Sequence, residues 1–281
     1  MKILTSKQQV REWRKSLSGS LGFVPTMGYL HEGHAELLKQ SVAQCDNTLL
    51  SIFVNPTQFG PNEDLDRYPR DFERDTQLAK EIGVDAIFYP SAEEMYSVQT
   101  SITFDSGKMA DALCGKSRPG HFDGVLQVVT KLFHIVQPDD VFFGQKDAQQ
   151  LALIESLVEA YDFPLHVHRV ATVREADGLA KSSRNVYLSE AERQEAPIIY
   201  QALQEAKELY LQTDSREKAL AHAREVISTK TSGTIDYIEL LSYPNLNERE
   251  SASTMILATA VFFSKARLID NLIIERVRTH A

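Results

Sequence analysis

"VPTMGYLHEGH", residues 24–34, sets two histidines three positions apart directly after an apolar run, with glycines at 28 and 33. The run "LGFVPTMG" reads as a short strand stopped by Pro25. Beyond it, "GHAELLKQSVAQC" has helical period, with Leu37, Leu38, Ser41 and Val42 along one side. The next segment, "TLLSIFVNP", is apolar over the length of a strand covered on both faces. Strand, helix and strand within one βαβ length make the histidine loop a strand-to-helix connection. Three readings of that loop stand open: a metal site, a turn that carries two imidazoles, or a phosphate-handling loop. His31 and His34 stand at i and i+3, whereas histidines that face one metal from a helix need i and i+4. A third ligand at fitting spacing is lacking. At the start of a helix the loop offers backbone N–H groups and a positive helix end to an anion. The imidazoles add donors, and Gly33 lets a flat base or a phosphate come close to the backbone.

The alternation runs on from there. "DFERDTQLAKEIG" is helical and ends at Gly83, "DAIFYP" is a strand, "GVLQVVTKLFHIVQP" a helix and "DVFFG" a strand; "DAQQLALIESLVEAY" and "PLHVHRVATV" repeat the pair. Upstream, Ser6 and Gln9 form a capping box for a first helix reaching about Leu17. This order predicts an α/β fold, a Rossmann-like doubly wound parallel sheet with right-handed crossovers and a ligand crevice at the strands' C-terminal ends. Near residue 175 the texture changes. "LSEAERQEAPIIYQALQEAKELYLQ" and "SREKALAHAREVISTK" are charged, alanine-rich helices, followed by the β-like segments "TIDYIELLS", "TMILATAVFF" and "KARLIDNLIIE". The expected organisation is a Rossmann-like domain over 1–174 and a smaller C-terminal α+β domain over 175–281.

Bulk properties narrow the function. A chain of 281 residues exceeds the usual single-domain size, and 43% apolar with 25% charged residues is an ordinary globular balance. Thirty Lys+Arg against 39 Asp+Glu give a net charge of -9, which argues against a general nucleic-acid or anionic-membrane surface. A small anionic substrate therefore has to be held by a local cluster of donors. The opening "MKILTSKQQVREW" lacks the apolar stretch of a secretory signal, and no window reaches the roughly 18 apolar residues of a membrane span. A soluble cytoplasmic protein without nucleic-acid or membrane partners is the expectation. Cys45 and Cys114 show no CxxC spacing and read as packing residues. Neither GxxxxGK[ST] nor GxGxxG occurs, so Walker-type ATPases and ordinary dinucleotide enzymes lose support.

The HxGH loop in this setting resembles the signature of the nucleotidyltransferase superfamily. Five further blocks sharpen the resemblance: "SIFVNPTQFGPNEDLDRYPR" (51–70), "SRPGHFDGVLQVVTKLF" (117–133), "QPDDVFFGQKDAQQL" (137–151), "VREADGLAKSSRNVYL" (173–188) and "ARLIDN" (266–271). With "PTMGYLHEGH" they are similar, in order and spacing, to the pantoate-β-alanine ligase family. That resemblance implies an ATP-dependent condensation of (R)-pantoate with β-alanine through a pantoyl adenylate, with AMP and pyrophosphate released. It implies an ATP loop over Met27, Gly28, Tyr29, Leu30, His31, Glu32, Gly33 and His34, in which His34 is the catalytic donor and His31 shares its role. A second ATP segment falls on Gly144, Gln145, Lys146 and Asp147, with Lys146 as the phosphate cation, and Val173 lies at an adenine-contacting position. Lys181, Ser182, Ser183 and Arg184 fall on a lid-like phosphate segment. Gln58 and Gln150 fall on the pantoate-binding glutamines, and an uncharged amide holds a carboxylate without blunting its nucleophilicity. Asp75 stands as a candidate magnesium ligand for Mg²⁺-ATP, and a homodimer is implied.

Two positions depart from the family pattern: Gln145 replaces a glutamate, and Lys181 adds a cation that either reaches phosphate or faces solvent. His121 and the His166/His168 pair carry weaker signals, the pair sharing one face of a strand by its period of two. Two alternatives remain. One is a different HxGH nucleotidyltransferase that leaves the nucleotidyl group on its product; the other is a non-catalytic nucleotide binder on the same fold.

Overall fold

The computed structural model describes residues 1–61, 63, 65–98, 102–249 and 252–276, and the last five positions of the 175–281 expectation lie outside them. The chain divides into two compact units. The first comprises Met1–Ser106, Arg118–Gln145 and Leu153–Ala171; the second comprises Gly107–Ser117, Lys146–Ala152 and Thr172–Ala281.

The first unit holds strands β1 (Lys2–Leu4), β2 (Leu21–Thr26), β3 (Asn47–Ile52), β4 (Ala86–Phe88), β5 (Asp140–Gly144) and β6 (His166–Val170). All neighbours are parallel, in the order β1-β4-β3-β2-β5-β6. Helices α1 (Lys7–Lys15), α2 (Glu32–Gln44), α3 (Phe72–Ile82), α4 (Ala92–Met95) and α6 (His121–Val136) accompany it, after α5 (Leu113–Ser117) of the second unit has intervened. The predicted doubly wound sheet is thus observed. Strand β2 runs beside β3 from Leu21↔Asn47 to Thr26↔Ile52, yet it meets β5 only at Gly22↔Asp140 and Phe23↔Val141. The two strands part above Phe23, at the point where the strand order reverses. That is where open α/β sheets bind ligands.

Local chemistry accounts for the boundaries. Ser6 and Gln9 do form the capping box of α1, and Asp71 caps α3 by accepting the Arg74 N–H. Helix α3 ends on Gly83 at φ 102°, a left-handed turn that glycine enters without a steric penalty. Strands β2 to β5 are buried almost throughout, their core formed by Val24, Leu38, Leu50, Ile87 and Phe142 among others. The strand β1 went unread in the sequence because its three residues bury only Leu4, whereas the equally short β4 is apolar and buried throughout.

In the second unit, β7 (Thr234–Ser242), β8 (Thr254–Phe262) and β9 (Arg267–Glu275) form an antiparallel sheet in that order. Helix α7 (Ala148–Ala160) gives its residues up to Ala152 to this unit, which also contains α8 (Glu190–Glu195), α9 (Ile198–Thr213) and α10 (Arg216–Lys230). The continuous helix read over 188–212 is interrupted: Pro197 lacks an N–H and starts α9 anew. Met255, Leu257 and Val261 of β8 pack with Leu203, Ala206 and Ile227, while Ile256 and Ala258 pack with Leu113, Ala148 and Ala152. Both faces of β8 are therefore covered, which explains its largely apolar sequence. Among the described residues, no helix is long and apolar enough to cross a membrane.

Candidate active site

The loop after β2 turns through two consecutive left-handed residues, Gly28 at φ 84° and Tyr29 at φ 51°. A Cβ at Gly28 would lie 2.9 Å from Ile52 Cγ2 and 3.0 Å from Asp75 Oδ2, so glycine is required there by both conformation and space. The turn aims two successive amides at one carboxylate: Tyr29 N–H donates to Asp75 Oδ2 and Leu30 N–H to Oδ1, each at 2.7 Å. This backbone concavity is an anion nest, and the anion it holds is a side chain of the same fold.

Two of the expected features take part in contacts within the fold. Asp75, read as a magnesium ligand, is 1% exposed with each oxygen engaged by an amide, and what it does is hold the loop. Burial pushes its carboxyl above the usual range, and the amides of Leu30 and Tyr29 offset this only in part. Two further loop amides, those of His31 and Gly33, are engaged within the loop. Gly33 N–H donates to His31 Nδ1 at 3.1 Å, and His31 N–H donates to His34 Nδ1 at 3.3 Å.

His31 is the N-cap of α2, and its imidazole fills the place usually taken by a Ser or Asp side chain. Because both Nδ1 atoms accept, each neutral ring carries its proton on Nε2. The rings lie side by side, centroids 4.0 Å apart and planes 36° apart. Leu30, between Tyr29 and His31, is wholly buried in the core and anchors the loop.

Gln58 ends the 3₁₀ turn Pro56–Gln58 that follows β3. Its Nε2 donates to Met27 Sδ at 3.3 Å and its Oε1 accepts from Asn55 Nδ2 at 3.1 Å, so the structure brings Gln58 to the Met27 end of the histidine loop. Asn55, 1% exposed, is a residue the sequence reading passed over. It donates to Gly124 O and accepts from Tyr96 OH and Thr57 Oγ1, which fixes the turn against α6. Gly124 permits this approach, since a Cβ there would lie 2.3 Å from Thr57 O. His121 braces the same turn, because its Nδ1 donates to Gln58 O at 2.8 Å while Arg118 Nη1 donates to its Nε2 at 2.8 Å. Arg118 is in turn forked onto Glu63. A buried Asn three residues before Gln58, and an Arg three before His121, are the signals that were available. His168, by contrast, bonds Asp140 at 2.6 Å and stacks on Phe142, a local arrangement of β5 and β6.

The remaining expected residues lie mostly in the second unit. Gly144 ends β5 and Gln145–Asp147 form a 3₁₀ turn; Lys146 Nζ lies 3.7 Å from Asp147 Oδ2. Gln150 is half-buried on α7, and its neighbour Gln149 is buried and donates to Met109 O and Ala112 O. Val173 O accepts the Lys181 N–H across a hairpin. Lys181 Nζ pairs with Glu175 at 3.1 Å, so the added cation neither faces open solvent nor stands uncommitted. Ser182 caps the turn Ser183–Tyr187 by accepting from Arg184 N–H. Lys146 and Ser182 line a single narrow cleft together with Asn185 and Asp270.

A parallel sheet opening at its switch point, with a paired-histidine loop after β2, defines an α/β nucleotide-binding protein of the HxGH type. The chain belongs to the pantoate-β-alanine ligase family, whose model matches residues 2–273. It is 54% identical to the pantothenate synthetase of Lysinibacillus sphaericus, covering 96% of this chain and 97% of that one. To the pantothenate synthetase of Exiguobacterium sibiricum it is 56% identical, with 98% and 99% covered. Among solved structures, pantothenate synthetase from Thermus thermophilus superposes with a TM-score of 0.91 at 41% identity, covering 97% of this chain and 99% of that one. Pantoate-beta-alanine ligase from Francisella tularensis, complexed with beta-gamma ATP and beta-alanine, gives 0.82 at 34%, covering 97% of both chains.

Proposed function

We propose that the stacked histidines of the Met27–His34 loop stabilise charge on ATP's phosphates while Gln58 and Gln150 hold pantoate. The reaction itself is that of the family: an ATP-dependent ligase joins pantoate to β-alanine and gives pantothenate. In the first half-reaction a pantoate carboxylate oxygen attacks the α-phosphorus, the bond to the bridging oxygen breaks, and pyrophosphate leaves. In the second, the free amine of β-alanine attacks the acyl carbon, AMP departs with the bonding electron pair, and the amine loses a proton. Neither step requires a nucleophilic side chain. Both build negative charge on oxygen, which preorganised donors stabilise without reorganising.

The observation that carries this reading is the bonding of the two Nδ1 atoms, which fixes the orientation of both rings in the loop that follows β2. Lys146 supplies a charge and Arg184 a planar fork for the triphosphate, with the Ser182 and Ser183 hydroxyls beside them. Lys181, held by Glu175, supports that segment. Among the described residues there is no group of three or more His, Cys, Asp or Glu able to hold a metal, and Asp75 is engaged with amides. Magnesium is proposed to come with ATP, bound mainly by its phosphates. A cytoplasmic homodimer, implied by the resemblance, belongs to the same proposal, and sedimentation tests the dimer.

The deciding experiment is an AMP-release assay with ATP, Mg²⁺ and pantoate, run with and without β-alanine. Free AMP formed in step with pantothenate, identified by mass, is expected. Nucleotide retained on the product, or no turnover in either arm, would overturn the reading.

A further inference from the structure

The block "ARLIDN" matches the family in sequence, yet the phosphate and pantoate contacts proposed for this chain make no use of its consecutive polar pair, Asp270 and Asn271. We propose that Asp270 and Asn271 are positioning residues that set the two phosphate-binding segments of the second unit in register with each other. The inference rests on the reading of Lys146 and Ser182–Arg184 as phosphate contacts.

Asp270 and Asn271 are consecutive on β9, the edge strand of its sheet, and both are buried. Successive residues of a strand point to opposite faces, so one buried polar side chain serves each side. Asp270 takes a bidentate grip on Arg174, with Nη1 to Oδ2 at 2.6 Å and Nη2 to Oδ1 at 2.8 Å. Arg174 also donates to Gly178 O at 3.0 Å and lies 3.6 Å over the Tyr200 ring. Arg174 and Ala180 pair across the hairpin that leads into Lys181–Arg184, and Asn185 Nδ2 returns to Ala180 O at 3.1 Å. The base of the Ser182–Arg184 segment is therefore clamped to Asp270. Asn271 Nδ2 donates to the main-chain oxygen of Lys146 at 2.9 Å. Its own N–H donates to Asp270 Oδ1 at 2.7 Å, which joins the two clamps.

Two segments far apart in the chain are thus tied to adjacent residues of one strand, and Lys146, Ser182 and Asp270 line the same cleft. Stability alone does not call for this arrangement, because a buried ion pair gains little over well-packed hydrocarbon of the same volume. What the pair supplies is a fixed geometry. The triphosphate meets Lys146 and Arg184 at a spacing the strand determines, and a displacement of about 1 Å can cost about a hundredfold in rate.

The test is a pair of double-mutant cycles read by ATP–pyrophosphate exchange, with pantoate present and β-alanine absent. Asn271→Ala is combined with Lys146→Ala, and Asp270→Asn with Arg184→Ala. Each positioning variant alone is expected to slow exchange by about ten- to a hundredfold, on the scale set by misplacement, with the KM for pantoate within about twofold of the parent. In the background of its partner that loss is expected to vanish, because there is no longer a contact to misplace. Effects that multiply independently in either cycle would remove that residue from the proposal, since a purely structural residue keeps its cost in every background. Unchanged exchange in Lys146→Ala and Arg184→Ala themselves would overturn the phosphate reading and the inference together. If Asn271→Ala yields no folded protein, the near-isosteric Asn271→Leu enters the same cycle.

Discussion

His31 and His34 are each held by a main-chain N–H through Nδ1: His34 accepts from His31 itself at 3.3 Å, and His31 accepts from Gly33 at 3.1 Å. The main chain of the loop thereby sets the tautomer and direction of both rings, with His31 itself holding His34. Replacing His34 by alanine removes both a cap of α2 and an Nε2–H donor. Adenylation is expected to slow by about 10² or more, the usual scale for a lost charge-stabilising donor. His34→Gln, which keeps an N–H near the Nε2 position, is expected to retain more of the exchange rate than His34→Ala. Exchange in the alanine variant within about twofold of the parent would rule the donor role out.

Asp75 is expected to behave as a structural acceptor. Asp75→Asn turns one acceptor into a donor that faces an amide, and a buried donor left unsatisfied costs about 1–3 kcal/mol. The melting temperature should fall, and activity should fall with it at every magnesium concentration. A rise in the magnesium requirement at unchanged stability would instead restore Asp75 as a ligand.

Gln58→Ala should act on pantoate. Asn55 retains its bond to Gly124 O in this variant, so the turn stays in place and thermal stability should change little. Steady-state kinetics are expected to show a raised KM for pantoate with the KM for ATP nearly constant. Equal changes in both constants, or none, would count against the assignment.

Glu192 offers a test of pH dependence in the second unit. Its carboxylate accepts the N–H of Ser189 and of Ser264, and these bonds hold its pKa down from an ordinary 4.5 to about 2. A folded-state value below the unfolded one means the unfolded chain binds the extra proton, so the stabilisation is complete above 4.5 and fades as pH falls towards 2. Glu192→Gln should be less stable than the parent at about pH 7, and the gap in urea midpoint should narrow at about pH 3. A gap independent of pH would show that the charge contributes nothing.

Much of the architecture is written locally. The apolar runs at 21–26 and 47–52, the Ser6 capping box and the stop at Gly83 each depend on residues within a few positions, and each was legible in the sequence. Local patterns also misled. A helix-start signature looks for hydroxyls and carboxylates, so two histidines capping their own helix were read as a turn or as ligand donors and not as caps. The interruption at Pro197 was masked by alanine-rich helical sequence on either side.

By itself the sequence determined the alternation of the main strands and helices and the doubly wound sheet, because periodicity and turn chemistry act over a few residues, while the candidate site residues were named by the family resemblance. Only the tertiary structure decided what those side chains do. That Asp75 holds the loop amides, that Asn55 and His121 brace Gln58, and that Asn271 reaches Lys146 O are contacts made by the folded chain, most of them between residues distant in sequence. A hydrogen bond depends on separation in space, and for such pairs folding alone sets that separation.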